Sequence, residues 1–363
     1  MNYNNGEVFI YAVRNFQPDA FSVLLGQGIS YKALFTAVLE ALRAPKTARA
    51  VIFGRLMGRL GTDHLNTSLK HAVLDADTDL LLIKQLLVAG AEATHQEGVC
   101  IKHAASTFNF DLLRLLAQSS GKDSEIFSQA LSGVTGRDRK WISSEYVDII
   151  RLLLRHGASG AAVHKALVEV VDHVAALPSL KEIGNTLLNL FFAAKADVNY
   201  ENGKAAGIAA GRGDPPLVAY LLRHGATSAT AALALSAAIM AHHDEQLLLR
   251  IVGAFKKHRI SHEDVQQLLP GTLNPILVCI KSYPNSVALI DSLVGIGCSP
   301  RSTVLFQVYS DDAVVDENGQ RVSEQPEPLS VLICSLMKEY NAVNPAVLRA
   351  LVHHGGKSLL HAQ

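Results

Sequence analysis

The densest group of candidate ligands in the chain is His242-His243 followed by Asp244 and Glu245. Successive helical residues point about 100° apart, so these four cannot easily share one ion, and surface histidines at a turn are the expected outcome. Cys100, Cys279, Cys298 and Cys334 stand far apart, without metal-ligand pairs or a disulfide framework. That usage suits buried small thiols in a reduced cytoplasmic or nuclear protein. Gly54 to Gly61 lacks the Gly-Lys-Ser/Thr ending of a phosphate loop and has helix-like surroundings, so no nucleotide site is expected there. No nucleophile elbow, no Cys with a placed His and no carboxylate pair at a defined spacing emerges. The sequence therefore predicts no catalytic residue, no cofactor and no metal.

Two charge-rich segments remain. Arg43, Lys46, Arg49, Arg55 and Arg59 are five cations with no acid among them, on segments expected to be helical. They read either as a solvated face or as a surface for an acidic partner. Asp311, Asp312, Asp316, Glu317, Glu324 and Glu327 gather around Asn318-Gly319 within residues 307 to 327, which reads as an acidic loop or hairpin insertion. It lacks the ligand spacing of a calcium loop. For the whole chain Lys plus Arg and Asp plus Glu each number 33, so no net field draws it to nucleic acid or an anionic membrane. Its start has no basic segment leading into a long apolar one, and its apolar runs fall well short of the roughly 20 residues that span a bilayer.

The elements that must carry these residues follow from a repeat. Hydrophobic residues make up 49% of the 363 and aromatics only 6%, so Ala, Leu and Val supply the core and an all-helical fold is expected. One phrase recurs: two apolar residues, two of any kind, then Gly. It appears as Leu24-Leu25 with Gly28, Leu86-Leu87 with Gly90, Leu153-Leu154 with Gly157, Leu221-Leu222 with Gly225, Leu293-Val294 with Gly297, and Leu351-Val352 with Gly355. Weaker copies end at Gly61, Ser119, Lys195 and His258. Gly28 to Gly297 spans 269 residues in eight steps, about 34 per step, the length of a two-helix repeat. Each phrase predicts a helix end, with the apolar pair packed inward and a left-handed Gly stopping the helix. Arg155-His156, Arg223-His224 and His353-His354 then place cations at the negative end of the helix dipole.

Ile208 to Ala226 reads as a small-residue helix, a turn at Gly213, a second helix opened by Pro215-Pro216 and a Gly-Ala stop. This resembles the ankyrin repeat, and the inter-helix turn absorbs the adhesion-like tripeptide Arg212-Gly213-Asp214. Lys195-Ala-Asp-Val-Asn199 is similar to the family's Gly-Ala-Asp-Val-Asn, with Lys in the Gly position and Asn199 to Gly203 as a projecting finger. Thr67-Ser-Leu-Lys-His-Ala72 and Asn274-Pro-Ile-Leu-Val-Cys279 look like worn forms of the repeat's opening Thr-Pro-Leu-His, each without its histidine. Tetratricopeptide repeats have a similar period, but their Trp, Gly and Tyr signature is missing.

The expected fold is an all-α, ankyrin-like helical solenoid of about ten helix-turn-helix repeats with one loop or hairpin insertion. It forms a single array over 1–363, with weakly matching repeats at 1–64, the best matches at 65–300, and terminal repeats with the 307–327 insertion at 301–363. The resemblance implies a non-catalytic scaffold or adaptor for a protein partner; the alternative is the regulatory or sensor region of a larger signalling protein or enzyme. Both ends look cut rather than capped. Tyr200 and Asn202 on the finger, and Tyr309, Asp311 and Asp312 in the insertion, are the candidate contact residues. Nucleic acid and membrane are not expected as partners.

Overall fold

A computed structural model describes residues 6–75, 77–135, 142–258, 260–261, 263–265, 274–306, 327–330 and 344–356. Among them nearly all regular structure is helical. The chain divides into two compact units, 1–166 and 167–363.

The first unit contains α1 (Glu7–Arg14), α2 (Pro18–Leu25), α3 (Tyr31–Leu42), α4 (Lys46–Leu56), α5 (Thr62–Leu74), α6 (Leu80–Val88), α7 (His95–Ser106), α8 (Phe110–Ser120), α9 (Ser124–Thr135) and α10 (Val147–Arg155). Odd helices pack in sequence, α1 on α3, α3 on α5, α5 on α7 and α7 on α9, while even helices form a parallel succession from α2 to α10. The contact pattern of each helix pair with the next is therefore repeated along the unit. Composition explains why two layers form. Ala33, Ala37 and Ala41 of α3, and Ala104 and Ala105 of α7, are fully buried, and side chains this small let neighbouring helices approach closely. Bulkier Leu82, Ile83 and Leu86 of α6, and Leu112, Leu113 and Leu116 of α8, fill the space between layers.

Helix α11 (Ala161–Ala176) begins in the first unit and ends in the second. The second unit continues with α12 (Lys181–Ala193), α13 (Tyr200–Gly211), α14 (Pro215–Arg223), α15 (Ser228–Met240), α16 (Glu245–Ala254), α17 (Pro275–Ser282), α18 (Val287–Gly295) and α19 (Pro345–Leu351). Its helices alternate in the same way, α13 on α15 and α15 on α17 in one series, α14 on α16, α16 on α18 and α18 on α19 in the other. Two strands, β1 (Thr303–Phe306) and β2 (Glu327–Ser330), pair antiparallel with Thr303 opposite Ser330 and Phe306 opposite Glu327. This pairing brackets the acidic insertion and departs from a purely helical chain; the hairpin around Asn318-Gly319 lies outside the described residues.

The helix stops follow the expected glycines. Gly28, Gly90, Gly157, Gly225 and Gly297 all take left-handed φ, and Lys195 takes it at 61° where the phrase has no Gly. Within the apolar pairs, geometry divides the labour: Leu86, Leu153 and Leu293 are wholly buried, whereas Leu87, Leu154 and Val294, one residue further round the helix, are only half-buried. Only in Leu221-Leu222 do both members pack inward. Two of the weaker assignments, Gly61 and Ser119, and one of the six main ones, Gly355, shift. Gly61 precedes α5 in an extended conformation, Ser119 lies inside α8 and the left-handed residue there is Gly121, and Gly355 falls in the helical turn Val352–Gly356.

Inter-helix turns use a second left-handed position followed by a capping side chain. Gly213 (φ 77°) precedes Asp214, whose carboxylate accepts from the Leu217 amide at 3.2 Å, and Phe108 (φ 55°) precedes Asn109, which accepts from Leu112 N at 3.1 Å. Asp79, Asp244 and Ser286 also cap α6, α16 and α18 with their side chains, without a left-handed residue directly before them. Asn274 and Pro275 open α17 as the worn Thr-Pro phrase predicts, but Thr67 sits in the middle of α5.

Candidate functional site

The finger expected at Asn199 to Gly203 is a tight turn. Glu201, Asn202 and Gly203 are successive left-handed residues, with φ of 50°, 57° and 73°, so that the first turn of α13 is not helical and its regular helix begins after Gly203. The first unit contains the same device at Gln96, Glu97 and Gly98, with φ of 51°, 55° and 69°. The glycine is required in both, because a Cβ on Gly98 would lie 2.3 Å from Ile126 Cγ2 and one on Gly203 would lie 2.4 Å from Thr230 Cγ2. Tyr200 is half-buried at the head of α13 and Asn202 is exposed beside it, so the structure places these two candidates on one turn. Tyr309, Asp311 and Asp312 lie outside the described residues.

Asn199, immediately before this turn, has a different task. Its Oδ1 accepts from Thr227 N and from Thr230 Oγ1, both at 2.8 Å, and its Nδ2 donates to Gly225 O at 3.1 Å. One side chain thereby satisfies the backbone on both sides of the next Gly-Ala stop. Related bonds recur elsewhere: Asn66 accepts from Glu92 N at 2.7 Å and Ser128 from Ser159 N at 2.9 Å. The sequence signal was a polar residue standing about 26 to 31 positions before each post-stop amide, visible only once the bonds are known.

The histidines near the helix ends also become structural. His156 Nδ1 lies 3.0 Å from Gly121 O and its ring stacks on Phe127, while His224 Nδ1 lies 2.8 Å from Tyr220 O and its ring stacks on Phe192. His354 instead pairs with Asp291 at 2.8 Å. His243 contacts Ala210 O through Nε2 at 3.1 Å, and Asp244 is committed to its cap, so the His-His-Asp-Glu cluster is divided between two jobs. No three ligand-type side chains among the described residues converge on a point that could hold a metal. The adhesion-like tripeptide is likewise occupied: Arg212 pairs with Asp172 at 2.9 Å and Asp214 with Lys181 at 3.1 Å.

Burial raises the Cys100 thiol to about 11 and the Cys279 and Cys298 thiols to about 12, which keeps all three protonated and inert as nucleophiles or ligands near neutral pH. Cys334 lies outside the described residues.

The basic run resolves into separate roles. Lys46 pairs with Asp77 at 2.6 Å, Arg43 with Glu40 at 3.5 Å, and Arg55 hydrogen-bonds the Ser22 hydroxyl. Arg49 is buried on the inner side of α4 and lines an open cleft of about 600 Å³ between α3, α4 and the end of α5. A second open cleft, about 570 Å³, lies where α14 and α16 end and carries Arg223, Lys256, Lys257 and His258. Both are open surface depressions.

No helix among the described residues is long and apolar enough to cross a membrane. No protein-family model matches the sequence, and none of the curated proteins compared with it matches either.

Proposed function

We infer that the chain is a non-catalytic scaffold of ankyrin-like helix pairs that holds a protein partner through its turns and open clefts. The observation that carries this reading is the repetition of one structural unit with changing exposed residues. The turns at Gln96-Glu97-Gly98 and Glu201-Asn202-Gly203 share their backbone and their pressed glycine, yet each presents different side chains to solvent. A fold that repeats its frame and varies its surface offers many small contacts along an extended face, which suits a macromolecular partner better than enclosure of a small substrate. The buried thiols of Cys100, Cys279 and Cys298 and the structural contacts of His156 and His224 agree with this reading.

The test is affinity capture with the purified full chain under native conditions, alongside a Tyr200→Ala/Asn202→Ala variant and an Asp311→Lys/Asp312→Lys variant. A stoichiometric protein retained by the wild type and lost from one variant supports the reading and locates the contact. Absence of any retained protein, together with turnover in a broad hydrolase and transferase screen, overturns it.

A further inference from the structure

Arg49 is the one charged residue of the basic run that the fold has taken out of water. Only 6% of it is exposed. A guanidinium carries five N–H donors and cannot lose its charge, so burial is costly unless those donors find acceptors. Here Nε donates to Ala44 O at 3.2 Å. The Asp75 carboxylate forms an ion pair with Nη2 at 3.7 Å, too long for a hydrogen bond, and the buried Nη1 has no hydrogen-bond partner. The charge of Arg49 is thus matched by one acid, but most of its hydrogen-bonding capacity is unused, and the residue lines the cleft.

The cleft's other walls define what would use it. Leu39, Leu42 and Leu74 supply an apolar side, with Leu74 43% exposed, and Arg43 stands at the rim. Asp75 and Asp77 share the cleft, and their charge disfavours a dianionic phosphate more than a singly charged group. A carboxylate meets these conditions, since it is planar, monoanionic and geometrically matched to a guanidinium. Three leucines beside the charge add a preference for aliphatic carbon next to that carboxylate.

We propose that the Arg49 cleft is a docking site for an acidic peptide segment of a protein partner, taking an Asp or Glu side chain at Arg49 with Arg43 in support and a neighbouring aliphatic residue against Leu39, Leu42 and Leu74. The proposal rests on the scaffold reading and adds the chemistry of what is recognised. It differs from a small-acid site in that the cleft is open and its apolar wall lies beside the cation rather than around it.

The experiment is selection of a displayed random twelve-residue peptide library on the wild-type chain, followed by fluorescence anisotropy of the enriched peptides against wild type, Arg49→Met and Arg43→Gln. Circular dichroism and thermal unfolding check that each variant is folded; Arg43 is exposed, so Arg43→Gln keeps the test valid if Arg49→Met does not fold. The expected peptides pair Asp or Glu with Leu, Ile or Val, and lose about tenfold or more in affinity with Glu→Gln in the peptide or with either arginine variant. Enriched peptides without an acidic residue, or with affinities unchanged in the folded variants, overturn the cleft assignment while leaving the scaffold reading intact. Displacement of the peptide by micromolar succinate would instead assign the cleft to free small carboxylates and overturn the peptide proposal. Failure of the wild type to enrich any peptide overturns it as well, and affinity capture then decides separately whether the scaffold reading survives.

Discussion

Lys195 occupies a left-handed conformation, φ 61°, at the position where five other repeats have glycine. A β-carbon in that region costs roughly 1 to 2 kcal/mol, partly offset by the greater freedom a glycine brings to the unfolded chain. Lys195→Gly is therefore expected to stabilise the protein by about 0.5–1 kcal/mol, measured as a rise in the urea midpoint without a change in slope. The opposite substitution separates backbone strain from crowding. Gly225 has open space where a Cβ would go, whereas a Cβ on Gly297 would lie 2.4 Å from the Ile260 carbonyl oxygen. Gly225→Ala should cost about 1–2 kcal/mol from the backbone alone, and Gly297→Ala about 3 kcal/mol or more because a neighbouring backbone must also move. Equal losses would show that the close approach relaxes without cost. His64 gives a third expectation at this scale. It is almost fully buried against Tyr31 and Phe35, and neither ring nitrogen has a partner among the described residues. Replacing it with Leu removes two unsatisfied polar atoms at similar volume and should raise stability by about 1 kcal/mol, read by the same denaturation curve.

Helix ends were the most legible elements, because a left-handed residue strongly favours glycine and the apolar pair before it is forced by burial on one face. That is why Gly28, Gly90, Gly157, Gly225 and Gly297 could be read from the sequence, and why the substitution at Lys195 could be placed by spacing alone. Legibility fails where another residue type adopts the same backbone. Gln96, Glu97, Glu201 and Phe108 are left-handed with nothing in their chemistry to announce it, whereas Asn202 and His242 belong to types that adopt this backbone more readily but not reliably. The conformation is imposed by neighbours, as at Gly98 and Gly203, whose close approach to the next helix fixes the whole turn. Arg49 was visible as part of a basic run, but its burial was not, since the acid that pairs with it, Asp75, comes from the segment after α5. The side-chain bonds between successive helix pairs were equally hidden. Their weight can be measured at Asn199, which makes three bonds to the 225–230 segment. Asn199→Ala is expected to cost about 2 kcal/mol, and amide hydrogen exchange should accelerate at Thr227 and Thr230 more than at α12; a uniform acceleration would assign the loss to global stability instead.

Across the molecule, the three described cysteines provide reporters in both units, Cys100 in the first and Cys279 and Cys298 in the second. Each thiol is buried and raised, to about 11 for Cys100 and about 12 for the other two. The folded state thus holds these protons more tightly than the unfolded chain, whose thiols titrate near about 8.5. Their contribution to stability is complete below the unfolded value and is lost progressively as pH rises from about 8.5 towards 11 and 12, because unfolding then releases protons. Stability measured by urea should accordingly fall between pH 8 and pH 10, and Cys→Ala at Cys298 should flatten that fall. Burial also sets the kinetics. With Cys334 replaced by Ser in every variant, a chain retaining only Cys100 and another retaining only Cys279 should react with a disulfide reagent far more slowly than a free thiol, at a rate limited by opening of the surrounding helices. If the two rates rise with urea along different slopes, the units open independently; if they rise together, the chain opens as one cooperative body. Reaction at the free-thiol rate in native buffer would contradict the burial of these thiols.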